Sequence, residues 1–155
     1  MPTAATVSLV VFRLDDAFYA VPLAVVDRVV LAVEIRVLPG APEPVLGAID
    51  VEGEVLPVLD VRRRFLMPAR DVRLADHFLI ARALRRAVVL PVDEVRGVVE
   101  CDANAVTALQ EMVPRLEQFP GVVNLSGDLT LIHDLDRFLA LDEVEAMERA
   151  VEGAS

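Results

Sequence analysis

The sequence predicts an all-β fold with short helices, built as small barrels or a sandwich. Ten short, valine-rich segments alternate with brief turns, and segments of this length with period-two character are typical of strands. They cover residues 8–14, 18–21, 29–38, 45–51, 54–59, 77–83, 87–92, 97–101, 122–125 and 129–133. Many short strands with short connections favour barrels or a sandwich over a parallel sheet.

Length and composition limit the class of protein. The chain has 155 residues, of which 55% are hydrophobic, so one domain can bury a core without disulfides or metal. The single Cys101 excludes an internal disulfide and a cysteine-based zinc site. Apolar runs are strand-sized rather than membrane-sized, and the N-terminus lacks a basic region before its first apolar run. We therefore expect a cytoplasmic protein without membrane insertion.

The charge is unevenly distributed along the chain. Residues 1–99 hold 13 acids and 12 arginines, whereas residues 100–155 hold 12 acids and 3 arginines. A net charge of −10 repels phosphate backbones, so we expect no nucleic-acid partner. The chain contains no lysine, which excludes the P-loop and Schiff-base chemistries. We expect no catalytic site, no metal and no cofactor.

The chain contains an internal repeat. Residues 45–65 align with residues 119–139 at an offset of 74, which places Gly47 on Gly121 and Asp60 on Asp134. Residues 17–29 align with residues 86–98 at an offset of 69. A duplicated unit of about 70 residues is the simplest explanation.

Each repeat also contains a hairpin turn and a helix cap. The pairs Glu52-Gly53 and Ser126-Gly127 place glycine where a tight turn needs positive φ. Asp60 and Asp134 precede short helical segments, where a carboxylate can accept hydrogen bonds from first-turn amides. We expect structural roles for all of these residues.

These residues resemble the CheW-like family, the coupling proteins of chemotaxis-type signalling. The family's hairpin pattern is similar to the run from Gly47 through Gly53 to Pro57, Asp60 and Phe65. The resemblance covers about residues 7–140 and implies two five-stranded, SH3-like barrels, as the duplication also suggests. It predicts one CheW-like domain over residues 1–155, with subdomains at about 8–73 and 76–140 and a C-terminal helix at about 135–152.

The resemblance also implies a function and a binding surface. Family members are non-catalytic adaptors that join a CheA-type histidine kinase, through its regulatory domain, to the cytoplasmic tips of chemoreceptors. The implied receptor-facing surface comprises Val26, Arg28, Val51, Glu52 and Gly53. The resemblance also places kinase contacts at the exposed ends of the barrels.

This chain departs from the family pattern at two of those positions. Glu52 stands where the family carries arginine, and Arg28 stands where it tends to carry glutamate. Because the two changes have complementary signs, we hypothesise that the residues are neighbours and keep an ion pair of exchanged polarity. The alternative is independent change at two exposed positions.

Other features admit further interpretations. The basic run Arg62–Arg64, with Arg70 and Arg73, is interpreted as a solvated helix face with ion pairs rather than a nucleic-acid patch. His133 with nearby carboxylates could suggest a small enzyme, but we expect an inward strand position. The acidic C-terminal helix packs on a barrel or docks in a basic groove. A kinase-sequestering module without a receptor is the alternative function.

Overall fold

The computed structural model describes residues 5–43, 45–83, 86–108, 121–137 and 149–152. The described part contains eleven strands: β1 (Thr6–Leu14), β2 (Ala17–Pro22), β3 (Val26–Leu31), β4 (Val45–Val51), β5 (Glu54–Leu59), β6 (His77–Ala83), β7 (Arg86–Val92), β8 (Glu94–Asp102), β9 (Thr107–Ala108), β10 (Gly121–Leu125) and β11 (Asp128–Ile132). One α-helical turn, α1 (Val61–Arg64), and 3-10 turns at Leu23–Val25, Ala103–Ala105 and Leu135–Arg137 complete it. The predicted all-β class with short helices is confirmed.

One predicted strand is shorter than expected. Instead of a strand over residues 29–38, β3 ends at Leu31, and the chain then forms a single bridge between Arg36 and Ala48. This bridge lies on the edge of β4, so the segment after β3 bends across to the other side of the same sheet.

The strands form two sheets with the same internal order. One sheet runs β8-β1-β2-β11-β10-β9 and the other runs β3-β6-β7-β5-β4. In each sheet one neighbouring pair is parallel, β2 with β11 and β5 with β7. The other strand pairs within the two sheets are antiparallel.

The duplication explains this order. The offsets of 69 and 74 place β1 to β5 on β6, β7, β8, β10 and β11, respectively. Substituting each strand by its equivalent converts one sheet order into the other, apart from the short β9. One sheet thus combines β1 and β2 from the first half of the chain with β8, β10 and β11 from the second half. The other sheet combines β6 and β7 from the second half with β3, β4 and β5 from the first half.

Irregularities in the two sheets also correspond. The register between β3 and β6 shifts at Asp27, and that between β1 and β8 shifts at Arg96, which is Asp27 plus 69. A bulge re-aims the residues around it. Each sheet contains strands from before residue 73 and strands from after residue 76.

Three apolar clusters account for most of the core. The largest lies between the sheets and contains Phe12 and Leu14 from β1 with Leu79 from β6 and Leu90 from β7. Each of the other two clusters consists mainly of residues from a single sheet. A fourth, smaller cluster contains Val151, which is buried against Leu38 and Ala48. Residues 149–152 are helical, whereas residues 138–148 of the predicted C-terminal helix lie outside the described residues.

The predicted turns and caps are confirmed. Gly53 and Gly127 have φ of 88° and 94°, and the preceding Glu52 and Ser126 also have positive φ, as two-residue hairpin turns of this type require. A side chain beside each turn accepts a hydrogen bond from the glycine amide. Asp50 accepts from Gly53 at 2.8 Å, and Asn124 accepts from Gly127 at 2.9 Å. Asp50 and Asn124, at equivalent positions of the two repeats, therefore stabilise their hairpin turns in the same way.

Both helix caps form as well. The Asp60 carboxylate accepts from the Arg63 amide at 3.1 Å, and the Asp134 carboxylate accepts from the Asp136 amide at 3.0 Å. These bonds satisfy amides that have no partner within their own short helical turn.

The repeated Gly47 and Gly121 are close-approach positions. A Cβ added to Gly47 would lie 2.2 Å from the Arg36 carbonyl oxygen, and one added to Gly121 would lie 2.5 Å from a methyl group of Val106. In both halves the segment before the hairpin crosses directly over the glycine, so the backbones need a residue without a side chain there.

We expect Gly47→Ala to lower the free energy of unfolding by about 1–3 kcal/mol, because the new methyl group would push the Arg36 backbone off β4. Chemical denaturation measures this loss. Gly40→Ala is the control, since nothing lies within 4 Å of its Cβ and only its positive φ of 79° is disturbed. Equal losses in the two variants would show that close approach is not what selects Gly47.

Candidate functional site

The five predicted partner-binding residues lie on two edges of the β3-β6-β7-β5-β4 sheet. Val26 and Arg28 are in β3, Val51 ends β4, and Glu52-Gly53 form the β4–β5 turn. Although β3 and β4 are at opposite ends of the strand order, a guanidinium nitrogen of Arg28 lies 3.2 Å from a carboxylate oxygen of Glu52. The hypothesis that these two residues are neighbours is confirmed.

This ion pair is open to solvent. The side chains of Arg28 and Glu52 are 43% and 78% exposed, so water screens the attraction and the direct gain in stability is about 0–1 kcal/mol. Positions this exposed are available to a partner.

A second ion pair adjoins the first. Asp27, the bulged residue of β3, lies 3.5 Å from Arg82 of β6. Arg82 also lines a cleft of about 240 Å³, together with Pro22, Val25 and residues 132–136. Because Arg82 belongs to one sheet and Ile132 to the other, the candidate surface continues into a cleft between the two sheets.

A cluster of arginines and aspartates, which the sequence did not predict, joins the two sheets. Asp93, between β7 and β8, accepts hydrogen bonds from Arg62 at 2.8 Å, from Arg70, from Arg13 at 3.4 Å and from the Asp15 amide at 2.7 Å. Arg62 also forms a two-pronged pair with Asp15 at 2.9 and 3.0 Å. Arg70 forms a second two-pronged pair, at 3.0 and 3.1 Å, with Asp76.

The cluster shifts the pKa values of its members. Burial alone would raise the pKa of Asp93, but the Asp15 amide and the Arg62 and Arg70 guanidinium groups lower it overall. The pKa of Asp15 is also lowered, chiefly by its hydrogen bonds from Arg62. Both carboxylates are therefore held in the charged form that the arginines require.

The basic run is only partly the solvated helix face that the sequence suggested. Arg62 is buried and Arg70 is largely so, because both belong to the aspartate cluster. Arg63 is exposed and pairs with Glu43, as expected of a surface ion pair. Arginines that are engaged inside the fold are not available as a phosphate-binding patch.

His133 occupies the inward position that the repeat predicted. It is fully buried and its ring contacts the Phe65 ring edge-on at 4.8 Å between centroids. Burial lowers the pKa of His133 to about 3, so the imidazole is neutral at pH 7. The neighbouring Asp134 is used as a helix cap, and no cluster of three or more metal-binding side chains occurs within the described residues.

No helix in the described part of the chain is long and apolar enough to cross a membrane.

His77, at the start of β6, accepts a hydrogen bond from the Val95 amide at 2.8 Å. Its ring thereby links β6 to β8, a structural contact between the two sheets.

Two strand-exchanged sheets thus carry an exposed, charge-paired hairpin and enclose a cleft between them. A family model described as a CheW-like domain matches residues 8–143, and the chain therefore belongs to the CheW-like family. The resemblance inferred from the hairpin and its repeat is confirmed.

Named relatives cover most of the chain. It is 26% identical over 140 residues to a chemotaxis protein CheW of Rhizobium meliloti (strain 1021), covering 89% of this chain and 90% of that protein. It is 20% identical over 145 residues to a chemotaxis protein CheW of Treponema pallidum (strain Nichols), covering 90% and 85%. The crystal structure of the scaffolding protein TtCheW from Thermoanaerobacter tengcongensis matches with a TM-score of 0.75 and 24% identity, covering 90% and 96% of the two chains.

We expect Arg62→Met to lower the free energy of unfolding by about 3–5 kcal/mol, because it leaves Asp93 buried with fewer cationic partners. Denaturant titration at neutral pH measures the loss. The matched control is the adjacent Arg63→Met, which removes an exposed ion pair and should cost about 0–1 kcal/mol. Comparable effects at the two positions would contradict the assigned role of the cluster.

The low pKa of His133 makes folding pH-dependent. The unfolded chain takes up a proton near the ordinary value of 6.5, whereas the folded chain does so only near 3. Stability should therefore fall as the pH is lowered from 6.5 to 5, by up to about 1.4 kcal/mol per pH unit. His133→Leu, which installs the residue of the equivalent Leu59, should flatten this slope, as urea titrations at several pH values would reveal. An unchanged slope would assign the dependence to other groups.

Proposed function

We propose that this chain is a non-catalytic, cytoplasmic adaptor that couples a CheA-type histidine kinase to the cytoplasmic tips of chemoreceptors. The observation that carries the proposal is the exposed Arg28–Glu52 ion pair, which lies where the family resemblance implies a receptor contact. Names of relatives such as chemotaxis protein and scaffolding protein support the same role.

The roles of the titratable residues favour an adaptor over an enzyme. Catalytic acids and bases must be exposed to a substrate in a cleft, whereas His133 lies at the wall of the cleft beside Arg82 with none of its surface exposed. Asp76 and Asp93 are saturated by arginines, and Asp60 caps a helix. The charged groups that remain at the surface are suited to recognition of another protein.

The surface suits a helical partner. Val26 and Val51 are half-buried beside the charged pair, and the cleft next to Arg82 has apolar walls from Pro22 and Val25. Apolar anchors flanked by charges are typical of grooves that receive an amphipathic helix. A receptor tip is such a helical partner in the family resemblance.

The exchanged polarity predicts a specialised partner. The present charges repel a partner surface that fits the usual family arrangement, which has arginine at position 52 and glutamate at position 28. This repulsion selects between related partners. We therefore propose that the cognate receptor or kinase has a charge pattern complementary to Arg28 and Glu52 as they stand here, rather than to the usual family arrangement.

Capture from the native cell's lysate with the tagged chain tests the coupling role. Recovery of a histidine kinase together with receptor-like helical proteins is the expected result. Recovery of the kinase alone would favour the sequestering module, and reproducible recovery of unrelated proteins only would overturn the adaptor assignment.

A charge-reversal cycle tests the surface. Arg28→Glu and Glu52→Arg should each weaken binding of the captured partner about tenfold, or about 1.4 kcal/mol, because each places like charges together. The double reversal re-forms the ion pair with the opposite polarity, so it should not restore binding of a partner that is complementary to the present charges, as titration calorimetry of the purified proteins would measure. Arg63→Glu, at an exposed ion pair elsewhere, is the control. Binding restored by the double reversal would contradict a partner complementary to the present charges.

A further inference from the structure

The outer face of β3 continues into an exposed apolar patch. Leu31 is 70% exposed and Leu74 is 87% exposed, with Val29 and Val33 also open to solvent. Leu31 is paired with His77, and the Ala32 amide donates to the Asp76 carbonyl oxygen at 3.1 Å. Val33 and Leu74 line one surface depression, so the patch extends along β3 to the loop before β6. A contiguous apolar surface of this kind commonly marks an interaction site.

The repeat provides an internal comparison for this patch. An offset of 69 places Val29, Leu31 and Val33 on Val98, Glu100 and Asp102 of β8. Both strands are end strands of their sheets and pair with equivalent neighbours. The fold is therefore satisfied by a glutamate and an aspartate at these positions, and it does not require the apolar residues of β3.

The two end strands differ in how their edges are protected. Charged side chains on an edge strand discourage pairing with another chain, and residues 98–102 of β8 include two of them, Glu100 and Asp102. The equivalent residues 29–33, which comprise the end of β3 and the two residues after it, include none. Such an uncharged, valine-rich edge favours contact with a second strand.

The β3 segment is also complementary to itself. β3 ends at Leu31, so a longer pairing needs residues 32–34 to extend along its line. In such an antiparallel alignment of two copies with Leu31 opposite Leu31, Val29 faces Val33 of the other copy, and Val30 faces Ala32. The flanking Arg28 then faces Glu34 of the other copy, twice by symmetry. A twofold contact needs this kind of self-complementary surface, and opposite charges across antiparallel strands stabilise the register.

The equivalent alignment of β8 would fail. It would place Glu100 opposite Glu100 and Val98 opposite Asp102, so like charges would meet at the centre. We therefore propose that a second copy of this chain is the occupant of the β3 patch, in a twofold antiparallel contact centred on Leu31.

Sedimentation and light scattering of the purified full chain test the proposal. Between about 1 and 100 μM, the range expected for a small interface, the mass should rise toward twice the 16.9 kDa of one chain. Leu31→Glu, which copies Glu100 of the other half, should remain monomeric throughout. Leu129→Glu is the matched control, because Leu129 is also a leucine and also 70% exposed, but lies on β11.

The expected pattern is therefore a wild-type chain and a Leu129→Glu variant that dimerise and a Leu31→Glu variant that does not. A wild-type chain that is monomeric at every concentration overturns the proposal. So does a dimer that survives Leu31→Glu. These readouts contain no kinase or receptor, so their outcome is independent of the adaptor function.

Disulfide trapping tests the alignment. In a Cys101→Ser background, Leu31→Cys should form a covalent dimer on mild oxidation, because directly opposed antiparallel residues lie within disulfide reach. Leu129→Cys should not. Glu34→Arg should weaken the dimer by facing Arg28, and adding Arg28→Glu should restore it. Failure of both the crosslink and the charge rescue overturns the Leu31-centred register.

Discussion

The arrangement of the two sheets depends on the carboxylate of Asp93. It stands between β7 and β8, where the chain passes from one sheet to the other. Arg62 and Arg70 reach it from the segments around α1, and Arg13 and the Asp15 amide reach it from the β1–β2 hairpin. Burying this charge would be costly alone, so the arginines are what allow the crossing to be enclosed. The same cluster links the sheet that contains β3 and Arg82 to the sheet that contains the β1–β2 hairpin.

The duplication separates what the fold requires from what it merely allows. Both halves keep the close-approach glycine, the acceptor beside the hairpin turn, the capping aspartate and the bulge in the third repeat strand. Where the halves differ at one structural position, the fold tolerates either residue, as with Leu31 and Glu100. Such differences are not dictated by folding, since the same strand geometry is satisfied in both halves.

Local features could be predicted from the sequence, because their causes lie within a few residues. The Glu52-Gly53 turn and the Asp60 cap depend on adjacent backbone groups, and the complementary signs of Arg28 and Glu52 suggested their contact. The exchange of strands between repeats could not be predicted, since aligned repeats look alike whether they pair within or between halves. The Asp93 cluster was missed for a related reason, because Asp93 lies 31 residues from Arg62 and 80 residues from Arg13 in the sequence.

Arg28 connects the two surfaces described above. In the single chain it pairs with Glu52 at the hairpin, whereas in the proposed dimer it faces Glu34 of the other copy. In the dimer the Arg28 guanidinium group would face two carboxylates, Glu52 and Glu34 of the other copy, and because these negative charges repel each other, the two contacts compete. A dimer formed through β3 would therefore loosen the charge pair that we assign to receptor recognition. A partner that engages Glu52 and Arg28 together would in turn oppose dimerisation, and by linkage each equilibrium would weaken the other to the same extent.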